Sequence, residues 1–200
     1  MTDNTNWFTP CTKGMELMKI CKHSGCVASN ICKDTETQWT ISSAKHTETC
    51  PYCKYIHLTN DEKWQVNASC VENSQMKTVS RFVLPAAQEY YYKMKHINYH
   101  PLPPFKEGCS GSSNDQVDFI YPEHGSTIII PKGFNGTPEK VVFKAVCRKA
   151  GSSLYWHIDN HYLGETQDDH QMSLAPDTGS HTLSIVDDEG NRKIIVFNVL

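Results

Sequence analysis

The sequence predicts a mainly β protein: a cysteine-rich connector with short strands and one helix over residues 1–110, followed by a β-sandwich of about seven strands over residues 111–200. Three observations predict it. Eight of the nine cysteines lie in the first 110 residues, and only Cys147 lies beyond. The last 90 residues alternate short β-prone runs with turn residues. Between the two regions, Cys109-Ser-Gly-Ser-Ser-Asn-Asp115 is small and polar with no hydrophobic anchor, the composition of an exposed linker, which places the border near Gly111. Charge divides there too: the first 110 residues hold 12 basic and 10 acidic side chains, the last 90 hold 7 and 12.

In the connector, two β-prone runs at 52–58 and 64–70 flank Thr59-Asn-Asp-Glu62 and predict a hairpin. Residues 85–96 open with Pro85 at a helix N1 position and continue with good helix formers, predicting about three turns. Pro101-Leu-Pro-Pro-Phe105 then forces an extended strap. In the second region, strands are expected at 117–121, 127–131, 140–147, 154–159, 161–164, 181–186 and 193–199. Turns rich in Gly, Asn, Asp and Pro separate them. Alternation places Val141, Phe143, Ala145 and Cys147 on a buried face and Lys140, Lys144 and Arg148 on the other. The same period buries Leu154, Trp156 and Ile158, then Leu183 with Ile185, then Ile195, Phe197 and Val199. Seven such strands around a tryptophan describe an immunoglobulin-like sandwich, here without a partner for Cys147.

Composition excludes several function classes. With 38% hydrophobic and 20% charged residues the chain is polar but globular, and no apolar run approaches the ~20 residues that span a bilayer. The start, MTDNTNWF, carries no signal-peptide pattern. A net charge of −3 gives no reason to expect a nucleic-acid partner.

The connector cysteines admit three chemistries. As disulfides, Cys21 and Cys32 close a short loop, Cys70 and Cys109 a longer one, and Cys50 and Cys53 pair with each other or elsewhere. As a zinc site, Cys50-Pro-Tyr-Cys53 is one knuckle and Cys21-x4-Cys26 the second, with a looser spacing than zinc knuckles use. As a redox dithiol, Cys50-Pro-Tyr-Cys53 lacks the βαβ surroundings it would need. The disulfide reading is preferred, so no metal and no cofactor are expected. Ser42-Ser-Ala-Lys45 matches S-x-x-K, yet no Lys-Thr-Gly follows, and it reads as coincidence. His157, Asp159, His161 and His170 read as a solvated face with its turns rather than a metal site. Tyr91, Tyr92, Tyr99 and Phe105, with Tyr90 beside them, form a candidate sugar-stacking surface, though aromatics at helical spacing more often pack on a sheet.

The run Arg81-Phe-Val-Leu-Pro-Ala-Ala-Gln-Glu-Tyr-Tyr-Tyr-Lys93, followed by His96, Tyr99, Pro101-Leu-Pro-Pro-Phe105 and Cys109, resembles the segment after the transpeptidase domain of the penicillin-binding protein 1C family. Trp7-Phe8-x-Pro10, Cys21-Lys-His-Ser-Gly25, Cys32 and Cys50-Pro-Tyr52 resemble that family's cysteine-bearing connector. Tyr121-Pro-Glu-His-Gly-Ser126, Leu154-Tyr-Trp-His-Ile-Asp159, Leu183-Ser-Ile-Val-Asp-Asp188 and Gly190 are similar to its C-terminal β domain.

The resemblance implies an inner-membrane-anchored, periplasm-facing parent that polymerises and crosslinks peptidoglycan through glycosyltransferase and transpeptidase domains, neither of which fits in this chain. It therefore implies a C-terminal, non-catalytic accessory region that binds peptidoglycan or a periplasmic partner such as an α2-macroglobulin-like protein, touching the membrane only through the parent. A periplasmic setting would favour disulfides over zinc. Cys11, Cys26 and Cys53 look additional to the family pattern. The alternative from another class is an independent extracellular carbohydrate-binding or adhesin module.

Overall fold

Twelve strands and one α-helix form from residues 12–43, 48–109 and 116–200, the residues that the computed structural model describes. The expected border near Gly111 falls in residues 110–115, and Lys45 in 44–47, both outside them. Packing groups the chain into two units, one from 1–58 and 77–83, the other from 59–76 and 84–200. Among the described residues, no helix is long and apolar enough to cross a membrane.

In the first unit, β1 (Met15–Cys21) pairs antiparallel with β2 (Thr35–Ile41), from Met15 opposite Ile41 to Cys21 opposite Thr35. Polar residues dominate β2, so this ribbon buries little: Met18, Ile20 and Cys21 are its covered side chains. A second ribbon joins β3 (Cys53–Thr59) to β4 (Met76–Phe82). The expected partner, residues 64–70, is not a strand. Its Asn67-Ala-Ser turn is closed by the Asn67 side chain, which accepts from the Ser69 N–H at 3.1 Å. Gln65 instead bridges to the proline strap, its N–H donating to Pro104 O and its carbonyl accepting from the Lys106 N–H, both at 2.9 Å. The strap is thus extended, as its prolines require.

The second unit holds the sandwich. One sheet runs in the order β10 (Gln171–Leu174), β7 (Val141–Cys147), β5 (Val117–Tyr121). The other runs β6 (Thr127–Ile128), β12 (Arg192–Val199), β11 (Gly179–Asp187), β8 (Ser153–Ile158), β9 (His161–Gln167). The chain changes sheet between β5 and β6, where β6 lies parallel to β12; the other strand pairs of the two sheets are antiparallel. Hairpins β8–β9 and β11–β12 in one sheet, with β7 and β10 carried to the other, make the immunoglobulin-like arrangement that the alternating sequence predicts.

The seven expected strands are all present, with 127–131 shortened to β6. The eighth, β10, is additional. Between the sheets, Val117, Phe143, Leu154, Trp156, Leu183, Ile185 and Phe197 are fully covered. Phe143 and Phe197 meet edge to face at 5.4 Å, as do Phe119 and Trp156 at 5.9 Å. The Trp156 indole N–H donates to Thr166 Oγ1 at 2.8 Å, so its one polar atom is satisfied. Cys147 is half-buried and unpaired, and burial pushes its thiol up.

Helix α1 (Ala86–Lys95) starts one residue later than expected, with Pro85 at the N-cap rather than at N1. Lys93 and Lys95 sit in its last turn, where cations offset the helix dipole. Its Glu89 carboxylate accepts from the Arg148 guanidinium at the end of β7, and from Tyr99 Oη at 3.2 Å. Arg148 also donates to the Leu84 carbonyl. Alternation had put Arg148 on a solvated face; its side chain is only 10% exposed because α1 covers that end of the sheet.

Candidate functional site

The first unit concentrates its chemistry at four sulfurs. Cys21 ends β1 and its N–H donates to Cys26 O at 2.9 Å. Gly25, at φ 72°, returns the loop so that its N–H reaches Cys21 O at 2.8 Å, a conformation that glycine adopts without strain. Cys50 is anchored by its N–H to Val27 O at 2.8 Å, and Cys53 opens β3. Cys32 follows a turn in which its N–H donates to Ser29 O at 3.1 Å. The Sγ atoms of Cys21, Cys32, Cys50 and Cys53 all lie within 4.8 Å of one another, with Cys21 and Cys53 3.8 Å apart. Ile31, Tyr52 and Phe82 pack around them.

Hydroxyls approach the cluster. Ser24 Oγ donates to Cys50 Sγ at 3.2 Å, and Ser29 Oγ lies 3.3 Å from Cys32 Sγ. Burial pushes the Cys21 thiol up, but hydrogen bonds from the Ser24 hydroxyl and backbone, the His23 backbone and Cys50 outweigh it and bring it down to about 6. Cys53 moves up, through burial and through its neighbours Cys32, Cys21 and Cys50. The four are a charge-sharing group of soft ligands, and they are the set among the described residues that could hold a metal ion.

Of the expected bridges, the structure forms Cys70–Cys109, with Cα atoms 5.3 Å apart, whereas Cys21, Cys32, Cys50 and Cys53 stand as thiols. It also differs from the Cys21-x4-Cys26 knuckle: Cys26 belongs to the same loop, but its Sγ lies 3.8 Å from the Ser24 carbonyl, outside the tetrad, and Cys32 takes the place. Cys53 leads into a strand rather than a helix, so the thioredoxin-like geometry is absent. Ser42 Oγ donates to Gly14 O at 2.9 Å.

In the second unit, the four aromatic candidates do not share one surface. Tyr92 stacks on His96 at 3.9 Å and meets Tyr99 edge to face at 5.2 Å. Tyr99 is engaged with Glu89; burial, then the Glu89 charge, pushes its phenol up to about 12. Tyr91 is exposed and lines a cleft of about 410 Å³ with Tyr90, Met94, Lys144 and His170. Phe105 lines a different and larger cleft, about 1070 Å³, with Trp64, Leu102, Gln116, Glu189 and Asn191. Trp64, 43% exposed, is the residue that the sequence reading missed here.

The histidines also divide. His157 tilts against Tyr162 at 5.4 Å and His161 is exposed, as expected. His170 is buried, with Nδ1 3.2 Å from Thr166 Oγ1, and burial lowers its pKa. Asp159 pairs with His181, which the sequence reading passed over: Nδ1 lies 2.7 Å from Asp159 Oδ2 and Nε2 2.7 Å from Asp177 O. Burial lowers the His181 pKa, but these bonds outweigh it and raise the net value. A proton NMR titration is expected to give His170 a midpoint below the ordinary 6.5 and His181 one above it. The linkage signs are opposite. His181 stabilises the fold below pH 6.5 and that stabilisation is lost as pH rises through its folded midpoint, whereas stability tied to neutral His170 falls as pH drops below 6.5. Reversed midpoints would contradict both environments.

Comparison with known proteins adds a family to this geometry. Residues 106–197 match the family described as Penicillin-Binding Protein C-terminus Family. No curated protein is matched. Among solved structures the chain is similar to Sidekick-1 immunoglobulin domains 1–4, at 9% identity and a TM-score of 0.29. That match covers 93% of this chain and 43% of the other. The immunoglobulin-like assignment rests on the strand order above.

Proposed function

We propose, from the match of residues 106–197 to the penicillin-binding protein C-terminus family, that the chain is the non-catalytic accessory region of a peptidoglycan synthase of the 1C kind, working on the periplasmic side and binding the cell wall. The observation that carries the wall-binding part is the Trp64–Phe105 cleft. It combines an exposed indole and a phenyl ring with the amides of Gln116 and Asn191 and the charges of Lys149 and Glu189. Aromatic faces take the apolar side of a sugar ring, and amides and charges take hydroxyls and peptide carboxylates or amines. The cleft belongs to the second unit alone, which contains the family domain. A periplasmic α2-macroglobulin-like protein is the partner proposed beside the wall itself.

Co-sedimentation with purified sacculi tests this reading. The chain is expected to pellet with sacculi, and Trp64→Ala with Phe105→Ala to weaken binding about tenfold, roughly 1.4 kcal/mol, as for the loss of an aromatic anchor. Equal binding by the double variant would remove the cleft from the proposal. Selective binding to a glycan foreign to the wall would favour an independent carbohydrate-binding or adhesin module.

A further inference from the structure

We propose that Cys21, Cys32, Cys50 and Cys53 bind a single zinc ion as a closed, structural tetrathiolate site. The first argument is geometric. Four sulfurs at ~2.3 Å from a central zinc form a tetrahedron with edges of about 3.8 Å. Cys21 and Cys53 lie at that separation, and all four sulfurs fall within 4.8 Å of one another. A disulfide would shorten one distance to ~2.0 Å and single out a pair. Here none of the four is joined to another, and all three pairings of four cysteines remain open. The sulfurs are also too close to surround an iron–sulfur cluster, so a mononuclear ion fits.

The second argument is packing. Among its described residues the first unit has a small apolar core: beside buried Met18, Ile20, Leu58 and Val83, its hydrophobic cluster is Cys21, Cys50 and Cys53, fringed by Cys26, Ile31, Cys32, Tyr52 and Phe82. Two separate two-stranded ribbons meet there, and such ribbons are marginal by themselves. Domains this small are held by disulfides or metals when hydrophobic burial is insufficient. A zinc ion at the sulfurs ties the end of β1, the loop before β2 and the start of β3 to one point.

The third argument is the surroundings. Cys21 is fully covered, Cys50 and Cys53 nearly so and Cys32 partly, and four thiolates fill a tetrahedral zinc without an open position for substrate, as in structural rather than catalytic zinc sites. Ser24 donates a hydroxyl to Cys50 Sγ, and Ser29 sits against Cys32 Sγ, the kind of outer contact that orients ligating thiolates and disperses their charge. On binding, the four thiols release their protons to solvent, and the Zn²⁺ with four thiolates carries a net charge of two minus. No oxidant or reductant takes part.

The test is metal analysis of the full chain with zinc and with cobalt as probes. One zinc per chain is expected to remain through gel filtration. Cobalt in its place is expected to give the intense visible bands of tetrahedral cobalt thiolate. Cys32→Ser and Cys50→Ser are expected to lose the metal, while Cys26→Ser and Cys147→Ser keep one equivalent. The cobalt spectrum of the unmodified chain stands even where a ligand variant misfolds. Chelation in denaturant should expose four further alkylatable thiols, with Cys70 and Cys109 protected until reduction. A chain that takes up no zinc, an octahedral cobalt spectrum, the four sulfurs already joined as two disulfides, or metal lost with Cys26→Ser and kept with Cys32→Ser would each overturn the proposal.

Discussion

Trp156→Ala is expected to destabilise the sandwich unit by about 3–5 kcal/mol, the range for emptying a large aromatic site in a packed core. Trp156 is fully covered, sits opposite Ile185 in the β8–β11 register, and meets Phe119 edge to face. No disulfide crosses between these sheets, since Cys147 is the cysteine of the sandwich strands and is unpaired. Apolar packing must therefore hold them together unaided. Removing the indole also strips Thr166 Oγ1 of its donor and loosens the contact to His170. Trp156→Phe keeps most of the volume and should cost less. Urea unfolding followed through the ring-shifted methyl signals of Leu183 and Ile185 would measure both. A loss below about 1 kcal/mol for the alanine variant would mean that the two sheets do not depend on this side chain.

Arg148→Met is expected to cost a similar amount, about 3–5 kcal/mol, for a different reason. The Glu89 side chain is 7% exposed and its guanidinium partner 10%. Taking away the cation leaves a buried carboxylate with only Tyr99 to hydrogen-bond it. Replacing the second partner as well, in Glu89→Gln with Arg148→Met, removes the unpaired charge and keeps an acceptor for Tyr99. The double variant should recover most of the loss, because the desolvation of two charges largely cancels their attraction. Helix α1 should stay docked in it. A double variant no better than the single one would show that Arg148 acts through its stem packing rather than through the ion pair.

The sandwich was legible because its signal is local. Phe143 with Ala145, Leu154 with Trp156, and Ile195 with Phe197 and Val199 alternate in stretches long enough to declare a strand and its inner face. The missed strand, β10, has only Met172 and Leu174 to alternate, and it follows Asp168 and Asp169, which read as a loop. The register of the first unit was less accessible. Residues 64–70 and Met76–Phe82 both suit a ribbon, and the choice is made by Gln65 bonding to the proline strap, a contact nearly forty residues away in sequence. The tetrad was legible as residues but not as a set: Cys21, Cys32, Cys50 and Cys53 all stood out as bridging cysteines, yet as metal ligands spacing drew attention to Cys26 in place of Cys32, because Cys21 and Cys32 meet only where the chain turns back between β1 and β2. Burial of Arg148 depends on a helix from another part of the chain, which periodicity along β7 cannot reveal.

The two units are threaded through each other along the polypeptide: the chain leaves the first after Leu58, returns at Lys77 and departs again after Val83. A gene trimmed to residues 106–197 would make a sandwich lacking Glu89, with the Arg148 guanidinium left to water, and with Cys109 deprived of Cys70. Starting at Leu84 restores the helix yet still orphans Cys109. Starting at Thr59 restores the bridge but carries β4 along, torn from its ribbon. No single pair of scissor cuts yields the stretch 106–197 with everything that holds it and nothing that belongs elsewhere, so dissecting this protein calls for deleting 77–83 internally and rejoining the ends.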